Sequence, residues 1–394
     1  MISKNNFFLN SKKFYNNLKK VKKILSSLEK NSIISKFPLL QSYEKKYIFN
    51  FNANTVKKFS KFKKVVIIGM GGSILGTKSI YSFLKKKIKK EIIFFDNLDL
   101  NLKHKNLKNS CFVVVSKSGN TLETLTNLKY FLSKFLLKNK LVVITELKDS
   151  KLLNIANKFN AEIIEHKKFI SGRYSVLSES GMFPAALMNL NIKNFKNLKE
   201  LLKNKKFISS LVNSVASIHT LNQSGIKNSV ILNYDSKLND LSLWHQQLVG
   251  ESLGKKGKGI TPILSFAPKD HHSMLQLYLD GPKDKFYTFL SSSHKEDKNK
   301  ISAINIPNNM SFLKKRNIES ILKAQSKATM NIFKLKSIPF RQFVFNKKEE
   351  VELGKVFTFF VLETILLARL LNINAFDQPA VDQVKIETQK ILSA

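Results

Sequence analysis

Fourteen glycines among 394 residues is a sparse supply, so the short motifs that hold them mark places where the backbone needs positive φ or close approach. The first, Gly69-Met70-Gly71-Gly72-Ser73-Ile74-Leu75-Gly76, follows an apolar run and opens a helical pattern. Backbone N–H groups of Gly72 and its neighbours, with the Ser73 hydroxyl, would converge there on the positive end of a helix dipole, which suits an anion and most simply a phosphate. Taken alone, the same turn fits a dinucleotide fold or a plain tight turn equally well. Its spacing is not Gly-x-Gly-x-x-Gly, and no P-loop Gly-Lys-Ser/Thr is present.

A second turn, Ser116-Lys117-Ser118-Gly119-Asn120-Thr121, supplies three hydroxyls and a glycine within six residues. By itself it could be an N-cap. Two such turns at the carboxyl ends of strands in one sheet point jointly to one phosphate site. Ser171-Gly172-Arg173-Tyr174-Ser175 holds one of only four arginines in the chain. A salt bridge would explain Arg173, and so would a developing oxyanion, which needs a planar and permanently charged donor. Gln247-Leu248-Val249-Gly250-Glu251-Ser252-Leu253-Gly254-Lys255 ends a helical pattern with a carboxylate at a glycine-flanked turn. Alone, Glu251 reads more readily as a solvated surface acid than as a base.

The elements that must position these residues follow from hydropathy. Residues from about 10 to 50 have helical periodicity with many charges, and short β-branched runs then alternate with longer amphipathic stretches, the rhythm of an α/β protein. Residues 65–69, 92–95, 112–116, 141–145 and 162–165 are short runs centred on apolar residues, read as buried strands. A helix starting at Thr121 would set Leu122, Leu125, Leu128, Leu132 and Phe135 on one face over the sheet. Further strands are expected at 230–234, 262–266, 286–290 and 340–345, with helices near 205–222, 238–252, 312–334 and 349–371. Two α/β sheets in tandem result, joined near residues 192–205: an N-terminal helical segment over 1–50, a first domain over 51–195 and a second over 196–394. Residues 293–300 read as a surface loop.

The formal net charge of +39 would ordinarily suggest nucleic acid or an anionic membrane surface. The basic residues argue otherwise. Only Arg173, Arg316, Arg341 and Arg369 are arginine among 67 basic residues, whereas nucleic-acid recognition favours arginine for bidentate contacts. The lysines are scattered along the whole chain, as AT-rich coding would produce at tolerant surface positions. No specific nucleic-acid partner is expected, although the field would draw in an anionic substrate. The single cysteine, Cys111, lies in an apolar run and excludes an intrachain disulfide framework and a cysteine metal site. No secretory leader pattern or membrane-length apolar stretch is visible, so a cytoplasmic protein is expected. No metal-ligand spacing is visible either, and no cofactor is expected.

These motifs together resemble the glucose-6-phosphate isomerase family, whose members carry Gly-Ile-Gly-Gly-Ser, a Ser-Lys hydroxyl-rich loop, Gly-Gly-Arg-Tyr/Phe-Ser, Glu-Ser-Asn-Gly-Lys and Phe-Asp-Gln-x-x-Val-x-x-x-Lys in this order. The last is matched from Phe376 to Lys385, and Asp270-His271-His272-Ser273-Met274-Leu275-Gln276 resembles the family's Gln-His-Ser-x-x-Gln, aligning His272 with the functional histidine. The resemblance implies two sugar-isomerase (SIS) domains, each a five-stranded parallel sheet wrapped by helices. It also implies a homodimer with active sites at the subunit boundary, His272 entering the neighbour's site. Aldose-ketose isomerisation requires opening of a hemiacetal ring and proton transfer between C1 and C2 through a cis-enediol. The resemblance assigns Glu251 to the C1/C2 transfer, His272 with Lys385 to ring opening and Arg173 to the enediolate. It assigns Gly72, Ser73, Ser116, Ser118 and Thr121 to the phosphate, with Lys117 in the same loop contributing mainly through its backbone, and Gln247 and Gln378 to the sugar.

The sequence departs from the family pattern at Leu253, where asparagine is usual, and at Ser171, where glycine is usual. The chain is also shorter than many members, which leaves open the N-terminal arm and C-terminal hook of larger dimers. Three alternatives remain at this stage. One is a bifunctional phosphoglucose/phosphomannose isomerase on the same fold. Another is a noncatalytic SIS sensor of sugar phosphates, which would need the phosphate loops but not Glu251, His272 and Lys385 together. The third is a nucleic-acid binder resting on charge alone.

Overall fold

In the computed structural model, all residues are described except 1, 31–32, 100–106, 108, 136, 293–299, 303–306 and 394. Ten strands form two sheets. The first contains β2 (Lys64–Gly69), β3 (Glu91–Phe95), β4 (Ser110–Val115), β5 (Leu141–Thr145) and β6 (Glu162–Glu165), in the order β3-β2-β4-β5-β6 and parallel throughout. The second contains β1 (Ile2–Asn6), β7 (Asn228–Asn233), β8 (Thr261–Phe266), β9 (Lys285–Ser292) and β10 (Phe340–Phe345), in the order β1-β10-β9-β7-β8. Helices lie on both faces, so Val65 to Ile68 and all of β4 and β5 are buried. That is why these strands read as continuous apolar runs rather than alternating ones.

Nine strands fall where hydropathy sets them, with ends that differ by a residue or two. The tenth, β1, is new: the polar N-terminus Ile2–Asn6 pairs antiparallel with β10. The second sheet is therefore four parallel strands plus one antiparallel edge strand, not five parallel ones. An edge strand buries little and carries no apolar run, so nothing in its composition announces it. The helix expected from residue 312 begins instead at Ile318. Asn317 and Ser320 form a reciprocal capping box there, which satisfies two orphan donors and fixes the start; residues Asn308–Leu313 are a 3₁₀ turn. The loop read at residues 293–300 lies almost wholly outside the described residues.

Helix Leu122–Lys134 covers the first sheet through Leu125, Leu128 and Phe131, whereas Leu122 is exposed. Helix Lys12–Lys30 packs on helix Lys205–Gln223, where Asn17 donates to Thr220 and Gln223, both at 2.9 Å. Between the sheets, helix Leu75–Leu84 lies against helix Asn239–Leu253, so the element leaving the first glycine-rich turn touches the one that ends at Glu251. Among the described residues, no helix is long and apolar enough to cross a membrane.

The second sheet is tied to helix Glu350–Leu371 by a buried ion pair. Arg341 on β10 donates from both terminal nitrogens to the two oxygens of Glu363, from Nη1 also to Ser214 at 2.5 Å and from Nε to Thr288 at 2.9 Å. Ser214 in turn donates to Glu363 at 2.8 Å. Both charged side chains are at most 3% exposed. Breaking such a pair strands the remaining charge and costs about 3–5 kcal/mol, whereas replacing both members by apolar groups is near neutral. Glu363→Leu should therefore unfold at markedly lower denaturant, and Arg341→Met/Glu363→Leu should recover most of the loss. A double variant no more stable than the worse single one would show that the pair is not the source of the effect.

Candidate active site

The first glycine-rich motif leaves β2 and turns through a 3₁₀ segment, Gly71–Ser73, before helix Leu75–Leu84 begins. Gly71 has φ +51°, and a Cβ there would sit 2.6 Å from Gln247 Nε2. A Cβ on Gly72 would lie 2.3 Å from the Gly172 carbonyl carbon and 2.4 Å from Arg173 N. This is backbone against backbone, which has no room to give. Gly72 thus lets the turn after β2 press directly onto the Gly172–Leu177 turn that carries Arg173, and Gly71 makes room for the Gln247 amide.

The hydroxyl-rich loop leaves β4, the neighbour of β2. Gly119 has φ +68° and packs where a Cβ would meet Ser150 Oγ at 2.2 Å. Ser116 and Thr121 share a hydrogen bond of 2.9 Å between their hydroxyls, which pins the two ends of the loop together. Thr121 is also the N-cap position of helix Leu122–Lys134, with no side-chain capping bond of its own. Lys117 Nζ donates to the Lys168 carbonyl at 2.8 Å and stands 3.4 Å from Glu146. Burial, opposed by Glu146, pulls the Lys117 ammonium below its usual range.

The two loops and the parts that face them enclose a cavity of about 360 Å³, near the lower end for small-ligand sites. Gly72, Ser73, Lys117, Ser118 and Thr121 line one part of it. Arg173, Gln247, Glu251, Gln378 and Lys385 line the rest. Of the residues singled out from sequence, Ser116 and His272 are not among the lining groups. Ser116 is buried beneath its loop. His272 is exposed, just beyond the 3₁₀ turn that follows the edge strand β8.

Arg173 is the centre of the cavity's hydrogen-bonding. Its side chain is 2% exposed. Nε donates to Ser252 at 2.9 Å, Nη1 to Glu251 at 3.0 Å and to Gln378 at 2.5 Å, and Nη2 to the carbonyls of Ala375 at 2.8 Å and Asp377 at 2.9 Å. All five guanidinium donors are used. Glu251, at the end of helix Asn239–Leu253, accepts from Arg173 on Oε2 and from Gln247 Nε2, at 2.9 Å, on Oε1. Its side chain keeps 29% exposure toward the cavity. Gln247 Oε1 is buried without a protein partner, an acceptor left over for a hydroxyl of a bound molecule. Lys385 reaches the cavity from helix Ala380–Ser393, paired with Asp382 at 2.8 Å.

Glu146, Lys148 and Met70 also line the cavity and were not expected. Glu146 is held by Lys148 at 2.7 Å and Lys117 at 3.4 Å. Burial raises its carboxyl, but the two ammonium groups outweigh that and keep it below the usual carboxylate range. The segment Glu146-Leu147-Lys148 follows β5 directly, so the rule that ligands sit at the carboxyl edge of a parallel sheet would have flagged it. Cationic groups outnumber acids around the cavity, which favours an anion.

The chain has relatives in sequence and in fold. Residues 42–394 match the family model described as "Phosphoglucose isomerase". A protein named glucose-6-phosphate isomerase from Methanocaldococcus jannaschii is 34% identical over 356 residues, covering 86% of each chain. A structure of a hypothetical protein from Thermus thermophilus superposes with a TM-score of 0.85 at 22% identity, covering 100% of each chain. The structure of a glucose-6-phosphate isomerase from Chlamydia trachomatis superposes with a TM-score of 0.72 at 20% identity, covering 86% of this chain and 72% of that one. The match to the family model over nearly the whole chain, together with the relative at 34% identity, establishes that this chain belongs to the phosphoglucose isomerase family.

Proposed function

We propose that the cavity between the two sheets interconverts glucose 6-phosphate and fructose 6-phosphate, with Glu251 moving the proton between C1 and C2. Family membership makes the chain an enzyme, an aldose-ketose isomerase acting on a sugar phosphate. The observation that carries the assignment of roles is the placement of one partly exposed carboxylate between an amide donor and a guanidinium, opposite two hydroxyl-bearing loops. Ser73, Ser118 and Thr121, with the backbone at Gly72 and the charge of Lys117, would bind the phosphate. Ser116 would act by closing its loop. Gln247 and Gln378 would orient sugar hydroxyls.

Proton transfer by Glu251 neutralises its carboxylate while charge grows on the substrate oxygens. A donor of Arg173 that served Glu251 is then released toward the enediolate, so proton movement and oxyanion stabilisation are coupled. Lys385 and His272 would open the ring. Because His272 is exposed and outside the cavity of its own chain, that role requires a second copy, and a homodimer belongs to the same proposal. So does a cytoplasmic location. The division into a helical segment over 1–50 and domains over 51–195 and 196–394 is supported by the strands of the first sheet, all within 64–165, and by the parallel strands of the second, all within 228–345. Strand β1, from the first segment, pairs with β10 of the second domain.

Glu251→Gln keeps the shape of the side chain and removes its basicity, so kcat should fall by ~10²–10⁴ with KM little changed. Exchange of the substrate's C1/C2 hydrogen with solvent should fall with it, and unchanged turnover would refute the role of Glu251.

The cross-subunit role can be read from mixing. Glu251→Gln and His272→Asn chains, each nearly inactive alone on cyclic substrate, should on dissociation and reassociation recover about a quarter of wild-type activity. Half the dimers would then be mixed, and each would hold one intact site. Recovery of nothing from demonstrably mixed dimers would place His272 in its own chain's chemistry or in none.

A further inference from the structure

The two sheets have one strand order. Reading β8-β7-β9-β10-β1 against β3-β2-β4-β5-β6 matches β7 with β2, β9 with β4 and β10 with β5, leaving the antiparallel β1 opposite β6. Ligands of open parallel sheets bind at the carboxyl edge where the order reverses, which is between β2 and β4 in one sheet and between β7 and β9 in the other. The correspondence extends past the strands. β2 runs into a 3₁₀ turn, Gly71–Ser73, and then a helix; β7 runs into a 3₁₀ turn, Ser236–Leu238, and then a helix. A serine follows β4 as Ser116, and β9 ends on Ser291 and Ser292. Lys148 follows β5 and Lys348 follows β10 at the same remove. Beyond the second edge lies a cavity of about 460 Å³ lined by Asp235, Ser292 and Lys348 among others.

What differs is the residue at the head of the turn. Gly69 pairs with Val115 and Asn233 with Leu290, so the second residue past each strand is Gly71 in the first sheet and Asp235 in the second. Asp235 sends its carboxylate back into the edge. Oδ1 accepts from the backbone N–H of Lys237 at 3.0 Å, and Oδ2 accepts from Ser292 Oγ and, at 2.9 Å, from Lys348 Nζ. A turn N–H after β7, a hydroxyl after β9 and an ammonium after β10 thus come from the three loops that correspond to those lining the cavity of the first sheet, where Ser73, Ser118, Thr121 and Lys148 stand. Both Asp235 and Lys348 side chains are within 13% of full burial.

We infer that the second sheet holds a counterpart of the phosphate site, occupied by the chain's own Asp235 carboxylate in place of a phosphate. The inference rests on reading the first-sheet loops as the phosphate site. It explains why one anion-binding edge suffices for the reaction although the fold builds two. It also assigns the ligand class that the second edge would accept once the carboxylate is removed, a tetrahedral oxyanion such as inorganic phosphate.

The test uses the full chain and inorganic phosphate. Asp235→Gly should lower Tm in phosphate-free buffer, because a buried acceptor shared by three donors is removed. At phosphate of about 100 times its Kd, linkage should raise the variant's Tm by a few degrees more than it raises the wild type's. Adding Lys348→Met should remove that extra rise. An Asp235→Gly chain that folds only in phosphate would also support the inference. Equal phosphate shifts in wild type and a folded Asp235→Gly chain would overturn it, as would an extra rise that survives Lys348→Met. Should Asp235→Gly not fold at all, Asp235→Asn decides, since it keeps the shape and removes the charge. A Tm equal to wild type would then overturn the need for an anion, and a lowered one would support it. Failure of the underlying reading is seen separately: Thr121→Val in the otherwise wild-type chain would leave phosphate binding unchanged.

Discussion

The fold of the site depends on one guanidinium. Arg173 leaves a turn of the first domain, reaches the end of helix Asn239–Leu253 through Glu251 and Ser252, and reaches the C-terminal segment through Ala375, Asp377 and Gln378. Three stretches far apart in sequence are thereby held at one point. A lysine could not replace it, because an ammonium has three donors on a flexible stem and cannot present five in a fixed plane. Gly72 is the other half of the same constraint, since the turn of Arg173 can sit where it does only if the facing turn has no side chain at that position.

A fully engaged arginine is well placed but not free to help a reaction. On the proposed reading the constraint is released by the chemistry itself. Glu251 is the one charged acceptor of Arg173, and its claim on the donor weakens as it takes a proton. The other four bonds, to neutral groups, persist and keep the guanidinium in position, so no side-chain reorganisation accompanies the step. That is the condition under which a preorganised donor lowers a barrier most.

Most of this could be read in the sequence because it rests on local demands. Parallel strands covered by helices are rich in apolar residues, and nine of the ten described strands are legible from that; glycine-rich turns betray close backbone approach, and those at 69–76 and 116–121 do meet across the strand order reversal. What was illegible depends on partners distant in sequence. The strand at Ile2–Asn6 owes its conformation to the open edge of β10 rather than to its own residues. Ser116 faces its own loop rather than the cavity because Thr121 comes to it, which a list of hydroxyls cannot reveal. Glu146 and Lys148 carry no motif, and only their position past β5 brings them in. Asp235 carries no motif of its own, and only the register of the two sheets sets it against Gly71.

Composition misleads most where it is most extreme. A formal charge of +39 describes the surface, and the lysines that make it contribute little to either buried network. Of the four arginines, Arg316 and Arg369 are exposed, while Arg173 and Arg341 are almost fully buried, each paired with a carboxylate and bound through further donors. Each ties elements remote in sequence: Arg173 at the cavity, Arg341 between β10, β9 and two helices. The difference between them lies in the acceptor. Glu363 is sealed at 3% exposure and can only hold its pair, whereas Glu251 keeps 29% and faces the cavity. On the proposed reading the same pairing serves architecture in one place and chemistry in the other, and access of the carboxylate to the cavity is what separates the two.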